Sequence, residues 1–129
     1  MSKILLMVLL VMVSNSAMAE WVKAGGSEKL TNYYDSTTIR ENGDKVKMWE
    51  LIDYNSVQET SGGKSYLSVI GQSEFDCKEE QIRSLNFIEY SGNMGNGDLV
   101  YSYSDPAKWE PVVPRSIGEK VWKFACGIK

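Results

Sequence analysis

Several segments between residues 21 and 103 alternate apolar and polar residues, a two-residue period that is typical of β-strands. In the clearest of them, Lys45 to Tyr54, both faces of the strand carry apolar side chains, and Glu50 interrupts one apolar stripe. This pattern predicts a central strand with one face under a helix. Further strands are predicted over residues 21–24, 30–34, 65–75, 81–90 and 99–103.

Segments rich in glycine, asparagine and other turn-forming residues separate the predicted strands. Asn42-Gly43 is a strong signal for a tight turn, and the glycine-rich segment 91–98 predicts a hairpin loop. Residues 55–64 are polar and contain two consecutive glycines, so an exposed loop is expected there. The side chains of residues 35–38 can bond to nearby backbone, which predicts a turn or a single helical turn after the second strand.

A helical period appears only near the C-terminus, after a segment whose three prolines exclude a helix. Ser116 and Glu119 have the spacing of a capping box, and Gly127 is placed to end the helix. An amphipathic helix is therefore predicted, with the sheet as the partner of its apolar stripe. That stripe comprises Ile117, Val121 and Phe124.

The N-terminus has the pattern of a secretory signal peptide. Lys3 supplies a positive charge, residues 4–13 are an unbroken apolar run, and Ala17 and Ala19 stand where a signal peptidase reads small residues. The apolar run is too short to span a bilayer. We therefore expect cleavage between Ala19 and Glu20.

Such cleavage would divide the chain into a leader, residues 1–19, and a mature domain, residues 20–129, which is long enough for one hydrophobic core. The mature protein is expected to be exported, to the periplasm or to the cell surface. No cysteine stands at the predicted cleavage site, so no lipid anchor is expected, and no transmembrane segment is expected in the mature chain.

The chain has two cysteines, Cys77 and Cys126. In an oxidising compartment the simplest interpretation is one disulfide that closes a loop of about fifty residues. A free reactive thiol is the alternative. A disulfide would hold the end of the predicted helix to the end of a predicted strand.

Composition excludes several function classes. The chain has no histidine, which removes Ser-His-Asp and Cys-His catalysis and disfavours a typical zinc site. Its net charge is −3 with both signs interleaved, so no nucleic-acid partner is expected. The carboxylates around Cys77 lack the spacing of a calcium loop, which favours a solvated edge of mixed charge. We therefore predict no catalytic residue, no metal and no cofactor.

Aromatic residues near the C-terminal prolines form a candidate binding surface, because flat rings bind peptides and sugars well. Packing of the helix on the sheet is the alternative role for the same rings. The candidate surface comprises Asn93, Met94, Tyr101, Tyr103 and Trp109.

The glycine-rich segment 91–98 precedes a predicted strand, so it is expected to be a turn and not a phosphate-binding loop.

Residues 32–39, Cys77, residues 89–95 and residues 122–126 together give the chain a family resemblance. With them the sequence resembles the surface-adhesin protein E family of Gram-negative bacteria. The resemblance implies an α+β fold, with a single antiparallel sheet of about six strands flanked by a C-terminal helix and with the two cysteines bridged. It also implies binding of host matrix or serum proteins such as vitronectin, laminin and plasminogen.

Three functional hypotheses follow from these observations. The first is an exported, non-enzymatic binding domain of the adhesin type. The second is a periplasmic inhibitor or immunity-type protein that inserts residues 91–98 into the active site of a cell-wall hydrolase. The third, an enzyme that uses only carboxylates, would depend on Glu79 and Glu80.

Overall fold

The computed structural model describes residues 19–128. All of the predicted leader except Ala19 lies outside these residues. Within them, no helix combines the length and the apolar character that crossing a membrane requires. The elements are β1 (Val22–Gly26), β2 (Leu30–Asn42), β3 (Lys45–Glu59), β4 (Ser65–Asp76), β5 (Gln81–Tyr90), a 3-10 turn (Asn93–Gly95), β6 (Leu99–Tyr103), β7 (Glu110–Pro111) and α1 (Ile117–Ala125).

The strands form one antiparallel sheet in which β1 to β6 lie in sequence order. Every strand of this series therefore pairs with its neighbour in the chain. The two-residue strand β7 adds to β5, where Pro111 lies opposite Gln81. The proline-containing connector was predicted not to be helical, but its pairing with the sheet was not predicted. The single antiparallel sheet with one C-terminal helix confirms the coarse fold.

The hydrophobic core lies between one face of the sheet and α1. Val46 and Met48 of β3 form a buried cluster with Val121, Trp122 and Ala125 of the helix. Each large apolar side chain buried in this way contributes about 1.5–3 kcal/mol to the free energy of folding. We call this side of the sheet the helix face.

The opposite side, which we call the loop face, is covered in part by the 3-10 turn Asn93–Gly95. Leu51 follows the alternation of β3 to this side and is fully buried. Gly95 has a φ of +75°, and a Cβ there would lie 2.5 Å from the Cδ1 atom of Ile70. Glycine is therefore required where the turn approaches the sheet.

Two predicted connections are wrong because the strands continue through them. Residues 35–38 lie within β2, where an irregularity in the register between Asp35 and Arg40 takes the place of the predicted turn. Residues 55–59 extend β3 beyond the predicted strand, and only residues 60–64 connect it to β4. The end of this hairpin is polar because it is exposed to solvent, so its composition resembles that of a loop.

The helix begins and ends as its sequence predicts. The Ser116 Oγ atom accepts a hydrogen bond from the Glu119 amide at 3.0 Å, and Gly127 after the helix has a φ of +68°. The Glu119 carboxylate accepts from the Arg115 amide at 3.3 Å, one residue before the position that a capping box specifies.

The buried stripe of the helix differs from the predicted one. Trp122 and Ala125 are buried beside Val121, whereas Phe124 is 41% exposed. The ring of Phe124 lies over Tyr34 of β2, with 4.2 Å between the ring centroids. At 3.6 residues per turn, Val121, Trp122 and Ala125 share one side of the helix and Phe124 lies at the margin of that side, which explains its exposure.

A disulfide joins Cys77 to Cys126, with 2.06 Å between the sulfur atoms. It links the residue after β4 to the residue after α1. The predicted pairing is confirmed, and the free-thiol alternative is wrong.

Candidate functional site

The residues of the candidate binding surface lie in three separate places. Asn93 and Met94 lie in the 3-10 turn on the loop face. Tyr101 and Tyr103 lie on the edge strand β6. Trp109 lies in the connector just before β7. The predicted surface is therefore not continuous, and each part has a different environment.

The turn that contains Asn93 and Met94 is bonded to the sheet below it. The Asp53 Oδ1 atom accepts from the Asn93 side-chain amide at 3.0 Å and from the Met94 backbone amide at 2.8 Å. The Gly95 amide donates to the Ser68 hydroxyl at 2.8 Å, and that hydroxyl donates to the Gly92 carbonyl oxygen at 2.6 Å. These bonds hold the turn flat against the sheet, so it does not project as a free loop.

The ring of Trp109 lies against the guanidinium group of Arg83. The guanidinium carbon of Arg83 is 4.6 Å from the centroid of the Trp109 ring. The same guanidinium forms an ion pair with Glu74 at 2.7 Å. Trp109 therefore partly covers an ion pair on the sheet, which is a structural role.

The carboxylates near Cys77 also have structural partners. Glu74 and Asp76 are both less than a tenth exposed, so the prediction of a solvated edge is wrong for this pair. The Asp76 Oδ1 atom accepts from the backbone amides of Lys78 and Glu79 at 3.1 and 2.9 Å, which closes the turn into β5. Among residues 19–128, no group of three or more potential ligand residues is arranged to hold a metal ion.

Tyr101 and Tyr103 form an aromatic cluster with Phe87 on the neighbouring strand. The ring centroids of Tyr101 and Tyr103 lie 6.0 and 5.7 Å from that of Phe87. Tyr103 is 44% exposed. We call these three residues the aromatic patch.

The register of the sheet places the aromatic patch on the helix face. Phe87 pairs with Gly71, and Gly71 pairs with Glu50, which is two residues from Met48 of the core. The helix covers the end of this face that carries Val46, and the aromatic patch lies towards the other end. Part of the helix face is therefore open.

A cleft of about 230 Å³ lies beside Phe87 on the helix face. Ile52 and Val69 contribute apolar walls, and Glu50 and Ser73 contribute polar groups. The Ser73 hydroxyl donates to the Glu50 carboxylate at 2.5 Å. Burial raises the pKa of Glu50, and the hydrogen bond from Ser73 opposes that rise only in part.

A second inward carboxylate, Glu89, lies on the strand beside the aromatic patch, opposite Tyr101. Glu89 is only 6% exposed. Burial raises its pKa, and a hydrogen bond from the Tyr66 hydroxyl opposes the rise. Burial and the neighbouring Glu89 raise the pKa of Tyr66 to about 12.

Sequence reasoning missed Glu50 and Glu89 as part of the candidate site. The ion pairs formed by residues 19–128 are Lys45–Asp76, Arg83–Glu74 and Lys123–Glu119, and they leave both carboxylates without a cation. The signal in the sequence was the interruption of an apolar stripe by Glu50. A charged residue at an inward position of a strand is unusual enough to indicate function or a specific partner.

Comparisons with known proteins agree with this architecture. The chain matches the family model of surface-adhesin protein E over residues 21–127. A search of curated proteins found no match.

Solved structures of protein E from Haemophilus influenzae have a similar fold. Protein E in its crystal form II shares 13% sequence identity with this chain and superposes with a TM-score of 0.62. The match covers 74% of this chain and 80% of that chain. Protein E from non-typeable Haemophilus influenzae shares 11% sequence identity with this chain and superposes with a TM-score of 0.64, and the match covers 88% of this chain and 79% of that chain. At these identities the likeness concerns the fold alone, whereas the family model covers most of the sequence. The chain therefore belongs to the surface-adhesin protein E family.

Proposed function

We propose that this chain is an exported, non-enzymatic domain that binds a protein partner through the aromatic patch. The leader, residues 1–19, directs export, and the mature domain, residues 20–129, works in the periplasm or at the cell surface without a lipid anchor. Family membership supports an adhesin-like protein that is exported or surface-exposed. Host matrix or serum proteins are the class of partner that we propose.

The observation that carries this proposal is the open part of the helix face. A monomeric domain usually covers its aromatic side chains, and exposed clusters of them mark interaction sites. Tyrosine is enriched among the residues that dominate binding energy, because a large ring becomes ordered at little entropic cost. Tyr103 is 44% exposed beside Phe87, on an edge strand that a partner can approach.

The charge of this surface indicates which part of a partner it fits. Glu50 and Glu89 are inward carboxylates that have no cation among residues 19–128. A lysine or arginine side chain of a partner would supply the missing charge. The nearby rings of the aromatic patch would add cation–π attraction. We therefore propose a partner whose contact surface is basic.

Surface plasmon resonance tests the proposal with immobilised vitronectin, laminin and plasminogen and with the mature domain in solution. Tyr103→Ala should weaken binding by about tenfold or more, since a central aromatic contributes on the order of 1.4 kcal/mol or more. Val22→Ala is the matched control, because Val22 is 42% exposed on β1, at the opposite edge of the sheet. This control should bind like the wild type.

Two results would remove the proposal in this form. One is binding of the mature domain no tighter than that of an unrelated acidic protein. The other is an equal effect of the Tyr103 and Val22 substitutions, which would place the interaction elsewhere.

Protease added to intact cells tests the location. Digestion of the domain in intact cells supports surface display, and protection until the outer membrane is opened supports a periplasmic role. A periplasmic inhibitor of a cell-wall hydrolase was the second hypothesis. The turn at residues 93–95, within the segment that this hypothesis needs as a projecting loop, lies flat on the sheet, which does not favour it.

A further inference from the structure

We propose that the α-ammonium group created at Glu20 by removal of the leader is the counter-ion of the buried Asp35 carboxylate. This inference depends on the processing site in the proposed function. In this proposal the new N-terminus stabilises the folded domain, because its positive charge pairs with the Asp35 carboxylate.

Asp35 is 3% exposed and lies on β2. Its Oδ2 atom accepts a hydrogen bond from the backbone nitrogen of Glu20 at 3.1 Å. Its Oδ1 atom accepts from the Thr37 amide at 3.0 Å and from the Thr37 hydroxyl at 2.5 Å. Both oxygens are therefore hydrogen-bonded, and one of them faces the residue that follows the predicted cleavage site.

The carboxylate of Asp35 lacks a positive partner in the described chain. Among residues 19–128, no lysine or arginine forms an ion pair with it. The donors that reach it are two amides and one hydroxyl, all of them neutral. An ionised carboxylate in a buried site is costly to the folded state unless a charge is paired with it.

Cleavage changes the chemistry of the nitrogen that already contacts Asp35. Before cleavage this nitrogen is a neutral amide with one hydrogen. Hydrolysis adds one water molecule across the Ala19–Glu20 peptide bond, leaving a carboxylate on Ala19 and an ammonium with three hydrogens on Glu20. A charged donor makes a shorter and stronger bond to a carboxylate than a neutral amide makes.

The Ala19–Glu20 peptide bond lies where a peptidase can cleave it in the folded domain. Ala19 and Glu20 are both exposed, and the first strand begins two residues later, at Val22. A peptidase can therefore reach the bond without unfolding the sheet. Since the Glu20 nitrogen already lies 3.1 Å from Asp35, the ion pair can form without moving the backbone.

A series of purified chains that begin at three successive residues tests the inference. Three chains are prepared by cleavage of a removable fusion, so that their first residues are Ala19, Glu20 and Trp21. All three carry a free α-ammonium, and only the Glu20 chain places it at the nitrogen that contacts Asp35. The Glu20 chain should melt higher than either of the others by roughly 4 °C, the shift expected for a domain of about 110 residues when its folding equilibrium changes about fivefold.

Asp35→Asn is then introduced into the Glu20 and Ala19 chains. Asparagine keeps an acceptor but has no charge, so the difference in melting temperature between the two chains should disappear. Equal melting of the three wild-type chains overturns the inference, as does a difference that persists when both chains carry Asp35→Asn. If the Asp35→Asn chains do not fold, the wild-type series alone decides.

The processing site is tested separately by N-terminal sequencing of the exported protein. A first residue other than Glu20 removes the premise. A first residue of Glu20 with equal melting across the series removes the ion pair and leaves the export proposal intact. The two failures are therefore distinguishable.

Discussion

The indole N–H of Trp122 donates to the backbone carbonyl oxygen of Asp76 at 3.0 Å, in the buried contact between α1 and the end of β4. The next residue after Asp76 is Cys77, whose disulfide to Cys126 closes the same contact. A covalent bond, a hydrogen bond and the packing of the Trp122 ring therefore act at one place. The attachment of the helix to the sheet depends on this junction, because the helix is only nine residues long.

Removal of the disulfide, by reductant or by Cys77→Ser with Cys126→Ser, should destabilise the domain. The bond joins residues 49 apart in the sequence. On the loop-entropy model such a closure contributes about 4 kcal/mol to the free energy of unfolding. Thermal melting with and without reductant measures the effect, and equal melting temperatures would contradict the role of the bond.

Trp122→Phe should destabilise the domain by about 1–3 kcal/mol, because the Asp76 carbonyl oxygen loses its donor in a buried site. Lys120→Gln on the same helix is the control, since Lys120 is exposed and should tolerate the change. Urea unfolding of both variants measures the difference. A Trp122 variant as stable as the control would show that the hydrogen bond has no net effect.

Glu50→Gln should stabilise the domain at neutral pH. Burial raises the folded-state pKa of Glu50 above its ordinary value of 4.5. The folded state therefore favours the protonated form of Glu50. The stability that this protonated form contributes is fully present below the unfolded-state pKa and is lost as the pH rises through the folded-state pKa. Each unit by which the pKa is raised contributes about 1.4 kcal/mol to that loss.

Urea unfolding at pH 4 and pH 7 measures this pH dependence. The Glu50→Gln variant should lose less stability than the wild type between the two values. Glu59→Gln, an exposed change on the same strand, is the control and should keep the wild-type slope. Identical slopes for all three proteins would exclude titration of Glu50 as a contribution.

Asp53→Ala should release the turn at residues 93–95 from the loop face. The variant loses an acceptor that serves both the Asn93 side chain and the Met94 amide. Bonds to a charged acceptor contribute about 1.5–3 kcal/mol, so the Met94 amide should exchange with solvent at least about tenfold faster. Asp98→Ala is the control within the same loop. Unchanged exchange at Met94 would mean that the contacts of Gly95 alone hold the turn.

Local features of the fold could be predicted because their causes are local. The turn at Asn42-Gly43, the capping serine Ser116 and the stop at Gly127 each depend on a few neighbouring residues. The disulfide could be predicted because the chain has two cysteines and the N-terminal pattern of an exported protein. The alternation of β3 puts Met48 and Leu51 on opposite faces, as the structure has them, but it did not predict which of the two faces the helix covers.

The candidate site was predicted less completely, because a binding surface depends on which elements meet. Tyr101 and Tyr103 do lie together, yet Trp109 packs over Arg83 and the turn with Met94 lies on the other face. The inward carboxylate Glu89 was missed. Its burial depends on partners from other strands, and the two-residue period contains no information about them.

The sequence by itself determined the order of the six main strands and the position of the helix, because apolar periodicity and turn chemistry act over a few residues, but it did not determine how far β2 and β3 extend. Only the tertiary structure decided that Trp122 is buried while Phe124 is exposed, since that depends on which side of the helix packs on the sheet. The tertiary structure also brought the Glu20 nitrogen to Asp35, a contact across a pair of strands. Burial and charge pairing are properties of such contacts between distant residues, and the local sequence pattern does not specify them.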